Sequence, residues 1–506
     1  MQPGSEFIVN AADVRRAERV IDASGLEMFL EGQIAQHKQV SGRPRELSVR
    51  TLLVALLLLS QTGSMHLVRV PELLNNLDTA TRKRLGVNRT GGITRRQVER
   101  LYNLIAEALA GSKHAHFDAF CDLLLQATLD PACGDTTSIA VDGTSIDSWG
   151  RRRRSVDSNG QTSWTSSDPD AAWRRKSQDN PWKRPVFGYD LTVAVTVSDI
   201  NGTEVPLAAK AMRFRPANKG SVAMGRSVVK EVARQQGTLG DVIADREYTM
   251  SIDGHEFIMP VRALGGEPVF ELTQHQLGAR GTTHGAVMID GHPYSPSVPP
   301  ALYLLTPPPP GAPWADVQTY QQKIAMRAKY ALVAHGSRKA NGAQVYQCPA
   351  AAGKLSCPLV ATSKPGAFPA VLAPSTATPG TVCSKKFTTF QATDAPLSQR
   401  DLHGSNAWYR SMQRRSRVEG FFGNIKNEAC ENLRRGTIRV RGLIKTGMLV
   451  AFAVASTNLR LADSFAKRTP AAPAKKRGRP KKTGVVKYVD VFGADTAANA
   501  PPSAAA

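Results

Sequence analysis

Apolar residues recur at helical spacing through the first part of the chain. Leu52, Leu53, Ala55, Leu56 and Leu59 form one broad stripe, and Val98, Leu101, Leu104, Ile105 and Leu109 another. Spacing of three and four is that of a helix burying one face. Residues 12 to 128 therefore read as helical, with Thr94 as an N-cap ahead of Arg95-Arg96-Gln97. That helix reads equally as a major-groove recognition helix and as an ordinary surface helix.

The pattern changes at Ser138. Ser138-Ile139-Ala140-Val141-Asp142-Gly143 is a short apolar run ending in a carboxylate. After a polar, Trp-containing stretch (147 to 185), Tyr189, Leu191, Val193, Val195 and Val197 alternate as a strand does. Val205 to Phe214 is its expected hairpin partner, with Asn201-Gly202 as turn residues. A helix is expected over Gly220 to Gln236, then a buried strand, Leu239 to Asp245, again ending in an acid. Residues 251 to 395, rich in Pro, Gly and Thr, read as an irregular, mostly β insertion, and Trp408 to Leu461 as helical. Beyond Phe465 the composition falls to Ala, Pro and Lys, which predicts a disordered tail.

Charge narrows the class of partner. The 506 residues carry 65 Lys+Arg against 42 Asp+Glu, a net +23, which points to a polyanion, nucleic acid first and an acidic membrane surface second. The basic residues cluster at Arg151 to Arg154, between Arg410 and Lys445, and at Lys475 to Lys482, and such runs are usually solvated or on phosphates. The longest apolar run, Leu52 to Leu59, is far short of the ~20 residues of a membrane span. The early charges Asp13, Arg15, Arg16, Glu18 and Arg19 do not fit a signal peptide. Six cysteines make no disulfide framework. A cytoplasmic, nucleoid-associated protein with no membrane contact is the expectation.

Three acids carry the candidate chemistry. Asp142 and Asp245 close separate strands, and Glu419 lies on a helix in which positions 412, 415, 419, 422 and 426 share one face. That face places Arg415 and Lys426 on either side of Glu419. Carboxylates are the oxygen ligands that hard divalent cations prefer, and a pair of such ions can clamp an in-line phosphoryl displacement. Spacing alone also fits plain i,i+4 ion pairing on a solvated helix.

Arg415-x3-Glu419-x6-Lys426 resembles the Y-x2-R-x3-E-x6-K signature of bacterial insertion-sequence DDE transposases. The preceding order of a helical N-terminal part, Val141-Asp142-Gly143-Thr144 and Ala244-Asp245-Arg246-x-Tyr248 resembles the same family, over roughly residues 30 to 465. The signature's tyrosine position holds Met412, with Tyr409 one turn earlier.

The resemblance implies an α/β fold: a ribonuclease-H-like core with a helical N-terminal domain and a β-rich insertion before the last catalytic helix. Its parts are a DNA-binding domain (1–130), a split core (131–250 and 396–465), the insertion (251–395) and a basic tail (466–506). It further implies that Asp142, Asp245 and Glu419 are catalytic and hold two Mg²⁺ (or Mn²⁺) ions, and that Arg415 and Lys426 contact DNA. The expected activity is cleavage of element ends and joining of the 3′-hydroxyl to target DNA. Terminal inverted repeats and target DNA are the expected partners, bound by a homodimer. The alternative is a catalytically inactive, transposase-derived DNA-binding or regulatory protein.

Other features weigh less. Arg477-Gly478-Arg479-Pro480 resembles an AT-hook, whose arginines enter a narrow minor groove. Cys348, Cys357 and Cys383 lack the close pairing of a zinc site and read as buried free thiols. Trp149, Trp164, Trp173 and Trp182 are candidates for base stacking or for packing. His114-Ala115-His116 has the spacing of tyrosine-dependent single-strand nucleases, but in a helical stretch.

Overall fold

A computed structural model of the chain describes residues 9–37, 45–87, 91–129, 136–174, 185–251, 253–309, 311–339, 341–360, 363 and 378–468. The AT-hook-like residues Arg477, Gly478, Arg479 and Pro480, together with Cys133 and Trp182, lie outside the described residues.

Among the described residues seven α-helices come first: α1 (Ala11–Ser24), α2 (Leu26–His37), α3 (Val49–Ser60), α4 (Val70–Asn75), α5 (Thr79–Arg84), α6 (Arg95–Leu109) and α7 (Ala115–Gln126). Of α3 only Arg50 escapes burial, and a helix apolar all round belongs at the centre of a core. The long α13 (Leu443–Ala466) packs against α3, α6 and α7, so both ends of the described chain share one core. Thr94 caps α6 in a full capping box with Gln97. His114 and His116 sit at the start of α7 rather than on a strand.

The central sheet is mixed. Strand β1 (Ile139–Asp147) pairs antiparallel with β5 (Val186–Thr196) and parallel with β7 (Asp241–Ala244). Strand β7 in turn pairs parallel with β8 (Glu267–Phe270). On the far edge of β5 lie β4 (Ala172–Arg174) and β6 (Ala209–Pro216), both antiparallel. Between β1 and β4 a two-stranded ribbon, β2 (Arg152–Val156) with β3 (Thr162–Ser166), carries the Arg151 to Arg154 run.

Period-two alternation gives each face its own core. Ile139 and Val141 pack with Val228, Val229 and Val232 of α8 (Ser221–Gln236), whereas Ala140 packs with the helical side. Asp142 follows Ala140 in that alternation. Its side of the sheet carries α12 (Ser416–Ile425), which packs on β1 and β5.

Strand β8 and α9 (Ile258–Ala263) correct the expected insertion boundary: both lie past residue 250, yet β8 belongs to the central sheet and α9 packs with it. The remainder holds two three-stranded antiparallel sheets. One is β9 (Ala279–Thr283), β10 (Ala286–Ile289) and β11 (His292–Tyr294); the other is β12 (Val333–His335), β13 (Gln344–Gln347) and β14 (Phe387–Phe390). Between them runs a helix the Pro- and Gly-rich composition hid, α10 (Trp314–Ala328). Cys348, Cys357 and Cys383 are free and half-buried here, not fully buried as expected. The helical reading of 408 to 461 holds for α11 (Asn406–Met412), α12 and α13, but Lys426 to Gly442 is an irregular loop. No helix among the described residues is long and apolar enough to cross a membrane.

Candidate active site

Backbone pairing brings the two aspartates together. Val141 of β1 lies opposite Ala244 of β7 in parallel register, so Asp142 lies beside Asp245, the first residue past β7; β1 runs on to Asp147 in its pairing with β5, so Asp142 sits within its strand and does not close it as expected. Asp245 leaves the sheet as the cap of a single 3-10 turn (Arg246–Thr249), its Oδ1 accepting from the Arg246 N–H at 2.6 Å.

The helix with Glu419 is clamped to the sheet by arginines on either side of Arg415. Arg414 ion-pairs with Asp241 at the start of β7 and donates to the Ser198 carbonyl at 3.2 Å. Arg417 donates to the carbonyls of Thr196 (3.1 Å) and Val205 (2.7 Å). Part of the basic run expected on phosphates thus serves the fold. Glu428 and Glu431 pair with Arg434 and Arg460, ordinary structural bridges.

So anchored, α12 presents Arg415 and Glu419 to the aspartates. The Arg415 guanidinium donates to Asp142 Oδ2 at 3.1 Å and to Glu419 Oε1 at 2.7 Å, and lies 3.9 Å from Asp245 Oδ2. One cation therefore touches all three acids. Lys426, at the far end of the same face, donates to Thr144 Oγ1 (2.5 Å) and the Ser145 carbonyl (3.3 Å) of β1. Met412 and Phe422, on that face too, are buried and seat it. Tyr409 packs beside Trp408, ring centroids 4.9 Å apart, against the hydrophobic cores.

The acids differ in environment. Glu419 is largely exposed, at 57% of its side-chain surface, and Asp142 only at 21%. Burial pushes the Asp142 carboxyl up to about 6; the Gly143 N–H and Arg415 oppose this, while Asp245 and Glu419 add to it. A fourth acid escaped sequence reading. Glu271 follows β8 as Asp245 follows β7, and the register Ala244 opposite Phe270 sets the two side by side. Burial, then the charge of Asp245, raises the Glu271 carboxyl above its usual range, with Arg415 opposing. The signal was present: Val269-Phe270-Glu271 repeats the apolar-run-then-acid pattern of the two aspartates. Nearby Glu247 is taken up by Arg174 (2.6 Å) and Ser221 (2.5 Å). Asp147 is exposed at the end of β1.

The donor chemistry fits a hard divalent cation, since each group is a carboxylate and a cationic centre already sits among them. As placed around the guanidinium, no three such ligands among the described residues stand close enough to share one ion. No known protein family, curated protein or solved structure matches this chain.

Proposed function

We propose that this chain is a DDE-type DNA transposase that cuts the ends of an insertion sequence and joins them to target DNA. The observation that carries this reading is the convergence of Asp142 from within β1, Asp245 from just past β7 and Glu419 from a helix on one cationic centre. Aspartates brought side by side by two parallel-paired strands of a mixed sheet also favour a ribonuclease-H-like core.

Asp142, Asp245 and Glu419 would hold two Mg²⁺ or Mn²⁺ ions, which when bound supply an activated attacking oxygen and a stabilised leaving oxygen. The chain's own residues do the rest. Arg415 and Lys426 hold the phosphates that flank the scissile bond, as bidentate and point-charge partners respectively. Water oxygen bonds to phosphorus as the 3′ oxygen leaves; the freed 3′-hydroxyl then attacks a target phosphate in the same way. Both element ends must be handled together, so a homodimer on DNA is the working assembly.

Full ion pairing of Arg415 within the triad is also what favours a second reading, a transposase-derived DNA-binding or regulatory protein that does not cut. The deciding experiment is Mg²⁺-dependent cleavage of a plasmid carrying the gene's native flanking DNA. Cuts at defined ends that vanish in Asp142→Asn, with DNA binding kept, support the enzyme. Tight binding without cuts in Mg²⁺ and in Mn²⁺ supports the second reading.

A further inference from the structure

Beyond the end of β1 lies a concave pocket of about 700 Å³, lined by Trp149, Arg151, Arg153, Ser166, Arg435 and Arg441 among others. We propose that it binds an unpaired segment of a DNA strand, phosphates on the arginines and a base on Trp149. The proposal rests on the DNA reading above and gives that reading a single-strand site apart from the acids.

The lining holds four arginines and no carboxylate. All four are exposed. Like charges gathered this way repel in the folded state, so the arrangement is one that a polyanion completes. Trp149 keeps 40% of its surface exposed, and the Arg439 guanidinium lies 5.3 Å from its ring centre. An aromatic ring among arginines addresses the π-face of a base, which a paired and stacked base does not offer.

The walls are braced in advance. Asp168, fully buried, accepts from the Tyr189 hydroxyl (2.7 Å), the Ser148 hydroxyl and the Gly442 N–H (3.0 Å). Asp170 accepts from the Leu443 N–H at 2.8 Å, and the Gly436 carbonyl contacts His66 at 3.1 Å. The turn after β1 and the loop before α13 are thus tied around one buried carboxylate, and a strand docking there orders little new structure.

Position links the pocket to the acids. Trp149 is seven residues beyond Asp142, five of them along β1 and two in the turn that follows, roughly 20 Å away at ~3.3 Å per residue in the strand and less in the turn. Stacked nucleotides advance ~3.4 Å each, so the span is about six nucleotides. Lys426, on Thr144 and Ser145, lies along that path.

The test is metal-free binding, by fluorescence anisotropy, of a duplex with and without a single-stranded 3′ tail of about eight nucleotides. The full-length chain is compared with Trp149→Ala, Trp149→Phe and the double variant Arg435→Gln/Arg441→Gln. Wild type is expected to prefer the tailed duplex by about tenfold, Trp149→Ala to lose that preference and Trp149→Phe to keep most of it. The double variant should lower the salt dependence of tailed-duplex binding by about two counterions. Equal binding of both duplexes by wild type, or a preference intact in Trp149→Ala, overturns the pocket while duplex binding upholds the DNA reading. Binding of neither duplex overturns both.

Discussion

The Arg415 guanidinium reaches Asp142 across 3.1 Å, joining a helix to a strand 273 residues away in sequence. The same side chain holds Glu419 at 2.7 Å. A cation thus stands in the middle of the acids that would ligate metal, and it must leave before they can close on an ion. A DNA phosphate is the natural destination, because it accepts the guanidinium's paired N–H groups as a carboxylate does. On the proposed function, DNA and metal would favour each other's binding, each removing Arg415 from the other's way.

Arg415→Gln should therefore separate two properties. Mn²⁺ affinity of the DNA-free protein is expected to rise about fivefold or more, since the competing cation is gone. Cleavage should fall, since a phosphate contact is lost. Calorimetric titration of Mn²⁺ into wild type and variant measures the first effect; unchanged affinity would remove Arg415 as the competitor.

The three acids that meet at Arg415 stood out in the sequence because each follows or faces a distinctive local pattern: an apolar run before Asp142 and Asp245, and the 3-4 spacing around Glu419. What Arg415 does in the free chain was not legible. Helical spacing places it on the face of Glu419, but only the packing of α12 on β1 decides that it reaches Asp142. The same limit hid β8: the sequence near Glu267 to Phe270 is short, and its pairing to β7 is a tertiary fact. The tie that Asp168 makes between Ser148 and Gly442 likewise joins distant segments, which no local pattern records.

Asp142 makes a prediction with a sign. Its folded pKa, pushed up by burial to about 6, lies above the ordinary aspartate value of 3.8. The folded state therefore holds the proton more tightly, and its contribution to stability is complete below the unfolded pKa. That contribution falls as pH rises from about 4 to about 6, and the ionised group is a constant cost above. Asp142→Asn should thus raise stability at pH 7 by on the order of 2 kcal/mol, a Tm gain of a few degrees. It should do so while abolishing cleavage. In wild type, Mn²⁺ binding should weaken as pH falls through about 6, where the ligand becomes protonated. Thermal melts of both proteins at pH 4 and pH 7 check the sign: a gain at pH 4 as large as at pH 7 would contradict it.

On the proposed function, Glu271 sits where a fourth carboxylate would tune ions held by Asp142, Asp245 and Glu419. Glu271→Gln is expected to raise the Mg²⁺ concentration for half-maximal cleavage several-fold and to leave DNA binding unchanged. Cleavage rates across a Mg²⁺ series decide this, and an unchanged Mg²⁺ dependence would return Glu271 to a packing role.

Helix α8 meets the turn after β7 at Gly225. Gly225 faces Tyr248 so closely that an added Cβ would lie 2.3 Å from Tyr248 Cε1 and 3.3 Å from Phe257 Cε2. Tyr248 closes the turn that Asp245 opens, its N–H donating to the Asp245 carbonyl at 3.0 Å. Ala would gain about 1 kcal/mol of helix propensity, but overpacking a buried ring costs about 1–3 kcal/mol. Gly225→Ala should therefore lower Tm modestly, displace Tyr248 and reduce cleavage more than it reduces stability. Gly237 at the end of the same helix is the control: its φ is +72° with nothing within 4 Å of an added Cβ. Gly237→Ala should cost about 1 kcal/mol through the left-handed backbone alone, far from Asp245. Cleavage rates of the two variants, measured well below both melting temperatures, separate the effects. If Gly225→Ala cuts DNA as fast as Gly237→Ala, the packing of Tyr248 does not position Asp245.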